Sequence, residues 1–143
     1  MPHPLKKCPW FTSLTPEQLT RIHQMLESKT VHADHFLFRQ GDTSTEIYIL
    51  IEGEIRIQIE TPYSKRSLPV LREVALVGEL SFIDQLSRSA SALCHTDCKF
   101  LYISRQNFDR LKTEDRDLYL RLLENLLVHI SGMIRKSNLE LEQ

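Results

Sequence analysis

Two side chains nine positions apart set the chemistry this chain could do. Glu79 is an acceptor-only carboxylate suited to a sugar hydroxyl, and Arg88 carries a planar fork of five donors suited to a phosphate. Gly78, just before the carboxylate, can take backbone angles closed to other residues and lets a ligand approach the main chain. If Glu79 to Asp84 form a short helical turn, its free N–H groups point at the same place as Arg88. Backbone dipoles plus one fixed cation then make a small anion site, which fits a sugar-phosphate bearing a single negative charge.

The elements that must hold these groups follow from periodicity. Thr15, Pro16 and Gln18 make a capping signal, and Leu19, Ile22, Met25 and Leu26 recur at helical spacing, which predicts a helix from Pro16 to Glu27. Val31, Phe36 and Phe38 are strand-like and lead into a turn at Gln40-Gly41-Asp42. Ile47 to Ile51 reads as a strand buried on both faces, and Ile55, Ile57 and Ile59 alternate with polar residues after a tight reversal at Gly53. Thr61 to Pro69 reads as a polar loop and Val70 to Val77 as a strand entering the Gly78 stretch. Ala90–Cys94 and Cys98–Ile103 form a closing hairpin, Ser104 caps a helix with Phe108 and Leu111 inward, and a longer helix starts near Arg116. Strands bracketed by helices predict an antiparallel sandwich or barrel with helical flanks.

At 143 residues the chain is expected to be one domain. The expected order is a lead at 1–14, a helix at 15–28, a β-roll at 30–103 containing the stretch 77–91, and helices at 104–143. A net charge of −1 supplies no bulk field toward nucleic acid or an anionic membrane, and no apolar run is long enough to span one. The opening Met1-Pro2-His3-Pro4-Leu5-Lys6-Lys7 lacks an apolar core and reads as a mature cytoplasmic beginning. Three cysteines, Cys8, Cys94 and Cys98, are too few for a disulfide scaffold. Cys94-His95-Thr96-Asp97-Cys98 has no second ligand pair elsewhere, so it reads as a hairpin with small buried cysteines, and no metal is expected. No phosphate loop or nucleophile elbow is present, and no catalytic constellation, so the chain is not expected to be an enzyme.

Gly78-Glu79-Leu80-Ser81, six further residues, then Arg88-Ser89-Ala90-Ser91 resembles the phosphate-binding cassette of the cyclic-nucleotide-binding domains. Phe38-Arg39-Gln40-Gly41-Asp42, Glu46 to Leu50, Gly53-Glu54-Ile55 and Leu101 to Phe108 are similar to the same family, so the likeness covers roughly Thr15 to Asn138. The resemblance implies a mainly β fold with flanking helices. In that fold an eight-stranded jelly-roll barrel (a double-stranded β-helix) carries an N-terminal helix and a long C-terminal helix. It assigns the ribose 2′-hydroxyl to Glu79 and the cyclic phosphate to Arg88. Ser89 adds a hydroxyl or backbone donor, Ala90 keeps the cassette's small residue, and Gly78, Leu80 and Ser81 present backbone groups. Val74-Ala75, Val77 and Ser87 depart from the family's usual glycine, aromatic and proline. The base is expected under the long helix, with Ser131, Met133 and Ile134 as capping candidates. The implied ligand is cyclic AMP, ahead of cyclic GMP, bound by a cytoplasmic regulatory module in which binding rearranges the C-terminal helices.

Leu120, Leu123, Leu127, Ile130 and Ile134 form one apolar stripe of the long helix, and Tyr119, Leu122, Leu126 and Met133 a second. One stripe covers the domain and the other is left over, so a parallel homodimer through this helix is expected. No helix-turn-helix follows it, and Arg135-Lys136 is too little for DNA. Two alternatives stand beside this reading: a dimerisation or docking domain with an empty cassette, and the sensor part of a longer protein, which the charged ending Glu140-Leu141-Glu142-Gln143 does not decide.

Overall fold

A computed structural model of the chain describes residues 4–141; Met1 to His3 and Glu142-Gln143, the outer parts of the two ends read above, lie outside them. The first helix, α1 (Pro16–Met25), begins where the capping signal puts it. The Thr15 hydroxyl accepts from the Gln18 N–H, and the Thr15 N–H donates to the Gln18 side chain, so two orphan donors of the first turn are satisfied. The helix stops short of the expected Glu27, because Leu26 already takes extended backbone angles and Glu27 opens a strand.

Nine strands follow among the described residues: β1 (Glu27–Val31), β2 (Phe36–Phe38), β3 (Ile47–Glu52), β4 (Glu54–Thr61), β5 (Ser64–Ser67), β6 (Leu71–Arg72), β7 (Leu76–Val77), β8 (Ser91–Cys94) and β9 (Cys98–Ile103). They pair antiparallel into two sheets, one ordered β1-β9-β3-β7 and the other β2-β8-β4-β5, with β6 also on β4. The mainly β fold with flanking helices is as expected; the eight-stranded barrel is corrected to nine described strands in two sheets that do not close on each other. The expected loop at Thr61–Pro69 contains β5, all of it exposed, which pairs through its backbone with Gln58–Thr61 and so leaves no apolar pattern to read. The single strand expected at Val70–Val77 is instead two short pieces, β6 and β7, on different sheets.

Two apolar clusters result. Tyr48 and Leu50 of β3 face a cluster between the sheets with Leu37, Phe38, Ile55, Val77, Ala92, Cys94, Cys98 and Phe100. Ile47 and Ile49, on the other face of β3, meet Trp10, Phe11, Ile22 and Ile103. That second cluster continues into the helices α2 (Glu79–Asp84), α3 (Arg105–Asp109), α4 (Leu111–Glu114) and α5 (Arg116–Leu141), through Phe82, Phe108, Leu111, Leu118 and Leu122. The doubly buried strand read from Ile47 to Ile51 is therefore what separates the roll interior from the helical layer.

Tyr119, Leu122 and Leu126 of α5 are buried, while Leu120, Leu127 and Ile134 are 50%, 66% and 56% exposed. Met133, of the same stripe as these buried residues, is 42% exposed because it lies beyond the end of the buried face at Leu126. Trp10 fastens this helix to the N-terminal lead. Its indole N–H donates to the Leu122 carbonyl, and the Asn125 amide donates to the carbonyls of Trp10 and Thr12.

Candidate functional site

The cassette glycine is shaped by the arginine it faces. Gly78 has φ +82°, and a Cβ placed there would come within 2.5 Å of Arg88 Nη1. Only a residue without a side chain leaves room for the guanidinium against the main chain. Arg88 is 2% exposed, so it does not reach into bulk water. Its Nε donates to the Ser44 hydroxyl at 3.2 Å, Nη1 to the Gly78 carbonyl at 3.1 Å and Nη2 to the Glu46 carbonyl at 2.8 Å. The guanidinium also lies 4.1 Å over the Phe38 ring, and the Glu46 carboxylate stands 3.7 Å from Nη2.

The early turn fixes the backbone that carries this side chain. The Arg88 N–H donates to the Asp42 carbonyl and the Gly41 N–H to the Arg88 carbonyl, each at 2.8 Å. The Asp42 side chain in turn accepts from the Arg39 N–H, which closes the turn. Burial pulls the Arg88 pKa below the usual guanidinium value, and Tyr48, Glu46, Asp42 and Glu79 oppose that pull.

Glu79, 9% exposed, opens α2 beside this cation. Burial pushes its carboxyl up to about 7, against the lowering effects of its own backbone N–H and of Arg88. Its Oε2 is buried and has no hydrogen-bond partner among the described residues. The far end of α2 is held by a second arginine: Arg105 Nη1 donates to the Phe82 and Ile83 carbonyls at 2.8 and 2.9 Å, while its Nε pairs with Asp109 at 2.9 Å. Phe82 packs edge-on against Trp10 and Phe108, with ring centroids 5.8 and 5.1 Å apart.

Donor arithmetic states what the arrangement can do. A guanidinium has five N–H groups. The three bonds to protein use one on each nitrogen, so the second N–H of each terminal nitrogen remains for an anion. A buried acceptor with a free oxygen lies on the adjoining helix, and low local polarity strengthens both contacts.

The structure thus brings Gly78, Glu79 and Arg88 together, with Ser81 buried on α2 and Ala90 half-buried after the arginine. Leu80 and Ser89 are exposed. Ser131, Met133 and Ile134 are not brought to the cassette: all three are exposed on the part of α5 past Leu126. Cys94 and Cys98 are buried at the two ends of the hairpin turn, with Cys98 Sγ donating to the Thr96 and Glu54 carbonyls. Phe38, Ser44 and Arg105 went unrecognised in sequence as parts of the site. An aromatic in a strand signals only packing, and Ser44 and Arg105 act on groups over twenty positions away.

The family model of the cyclic nucleotide-binding domain matches residues 28–115, from β1 to the end of α4. The chain is 28% identical over 139 residues to the cyclic AMP receptor protein of Thermus thermophilus, covering 96% of this chain and 62% of that protein. It is 27% identical over 128 residues to lysophospholipase nte1 of Aspergillus fumigatus, covering 87% of this chain and 8% of that enzyme. The crystal structure of the Thermus thermophilus catabolite activator protein superposes with a TM-score of 0.84 at 27% identity, over 94% of this chain and 62% of that one. The chain therefore spans less than two thirds of the length of each of these three proteins. The match of the family model includes both Glu79 and Arg88, and on it the chain belongs to the cyclic nucleotide-binding domain family.

Proposed function

We propose that this chain is a regulatory module that binds a cyclic nucleotide, cyclic AMP ahead of cyclic GMP, and performs no chemistry on it. The observation that carries the reading is the pairing of a buried Arg88, with two N–H groups left over, and a buried Glu79 oxygen without a partner. Arg88 takes the cyclic phosphate through those two groups and Glu79 accepts from the ribose 2′-hydroxyl. Gly78, Leu80, Ser81, Ser89 and Ala90 supply backbone and hydroxyl contacts. The preference for cyclic AMP draws on the name of the Thermus thermophilus relative. No metal takes part. The reading places the module in the cytoplasm; no helix among the described residues is long and apolar enough to cross a membrane.

Binding is relayed through Phe82, which moves with α2 and packs on Trp10 and Phe108, and from there to α5 through the Trp10–Leu122 bond. The base-capping candidates Ser131, Met133 and Ile134 reach the nucleotide only if the outer half of α5 moves, which couples ligand to helix position. The exposed stripe of Leu120, Leu127 and Ile134 favours a parallel homodimer through the same helix, without DNA binding by this chain.

Trp10 is the chain's single tryptophan, so its fluorescence reports on the relay directly. Titration with cyclic AMP is expected to give a saturable change that a Phe82→Leu variant reduces. A flat signal accompanied by no heat of binding supports the empty docking domain instead.

A further inference from the structure

We infer that Glu46 is a specificity-determining residue of the anion site: its carboxylate restricts the site to singly charged phosphodiesters and turns away doubly charged phosphomonoesters. The inference deepens the cyclic-nucleotide reading and rests on it. Glu46 touches Arg88 twice, once through its carbonyl at 2.8 Å and once through its carboxylate at 3.7 Å, both on Nη2. The carbonyl contact is made by the main chain and would survive any side chain. The carboxylate contact is too long for a hydrogen bond, and Glu46 Oε2 is buried without another partner among the described residues. Its position next to Arg88 is therefore a matter of charge rather than of bonding.

A phosphate oxygen accepting from the remaining N–H of Nη2 would sit about 2.8 Å from that nitrogen. The Glu46 carboxylate oxygen would then be no more than about 6.5 Å from the phosphate oxygen. Asp42 in the early turn and Glu79 on the adjoining turn add two more carboxyls, so one guanidinium faces three acidic groups before any ligand arrives. One negative charge on the ligand meets Arg88 as its counter-ion. A second is left to face Glu46 at short range, in a place where Arg88 is 2% exposed and screening by water is weak. A cyclic phosphate carries one charge, whereas a terminal phosphate carries close to two above its second pKa of about 6.

The experiment is calorimetry at pH 8 with adenosine 3′,5′-cyclic monophosphate and adenosine 5′-monophosphate, on the wild type and on Glu46→Gln, Glu46→Thr and Glu46→Asp. The wild type is expected to prefer the cyclic ligand by on the order of a hundredfold or more. Both neutral variants are expected to narrow that ratio by about tenfold, and Glu46→Asp to keep it. Glu46 makes no side-chain hydrogen bond that its replacement would break, and two neutral variants guard against one that misfolds. An unchanged ratio in folded Glu46→Gln or Glu46→Thr overturns the inference and leaves cyclic-nucleotide binding standing, as does equal narrowing in Glu46→Asp. A wild type that binds neither ligand takes both readings down together.

Discussion

At the scale of single residues, the site is governed by what burial does to charge. Glu79 has a carboxyl pushed up to about 7 from 4.5 because it is taken out of water. Below 4.5 the group is protonated both folded and unfolded and costs nothing. Between 4.5 and about 7 the folded chain holds a proton that the unfolded chain releases, so stability falls as pH rises through that window. Above it the folded state carries the full penalty. Wild type is expected to lose about 2 to 3 kcal/mol relative to Glu79→Gln between pH 5 and pH 8, read by urea unfolding at the two values. Parallel stabilities would contradict the buried carboxyl. Glu79, Arg88 and Gly78 were legible in sequence because their chemistry is carried by residue type and short spacing. Phe38, Ser44 and Glu46 were not, since each reaches Arg88 from more than forty positions away through the fold.

At the scale of elements, the cassette helix is held at its far end by a neighbouring element. α2 is six residues long, too short to be stable alone, and its terminal carbonyls are taken by Arg105 from α3. Arg105→Met removes three charge-assisted bonds, two to α2 and one to Asp109, and leaves the two carbonyls without a partner. The expected loss is about 2 to 3 kcal/mol in urea unfolding, with weaker nucleotide binding because α2 no longer holds Glu79 in place. Unchanged stability would show that water replaces the arginine at no cost. The element boundaries follow the same logic of legibility. α1, β3 and α3 stood out because caps and apolar periods mark them locally. β5 did not, because an exposed hairpin arm is held by backbone pairing alone. The split of β6 from β7 also escaped notice, since one apolar run serves two sheets.

At the scale of the whole molecule, the roll and the helices share one wall, β3, and the proposed relay from α2 to the helical layer runs through the packed rings of Phe82, Trp10 and Phe108. The long helix buries Leu118, Tyr119, Leu122 and Leu126 and leaves Leu120, Leu127 and Ile134 at seven-residue intervals facing outward. In the proposed homodimer this repeat forms the seam of a parallel pair of helices. Sedimentation is expected to give twice the chain mass of 16.8 kDa for wild type and the single mass for Leu127→Glu. Equal single masses for both would remove the helix-pairing idea. The two stripes were visible from spacing alone, but where the buried one ends depends on how far the lead around Trp10 and α4 reach along the helix, which spacing does not show.

The central claim is that Arg88 holds a singly charged sugar phosphate, and isothermal titration with cyclic AMP and cyclic GMP on wild type and Arg88→Leu tests it most directly. The account predicts saturable binding to wild type and an affinity about ten- to a hundredfold lower in the variant, the worth of one charge-assisted contact. No heat from either nucleotide with the wild type, or equal affinities in the two proteins, would contradict it.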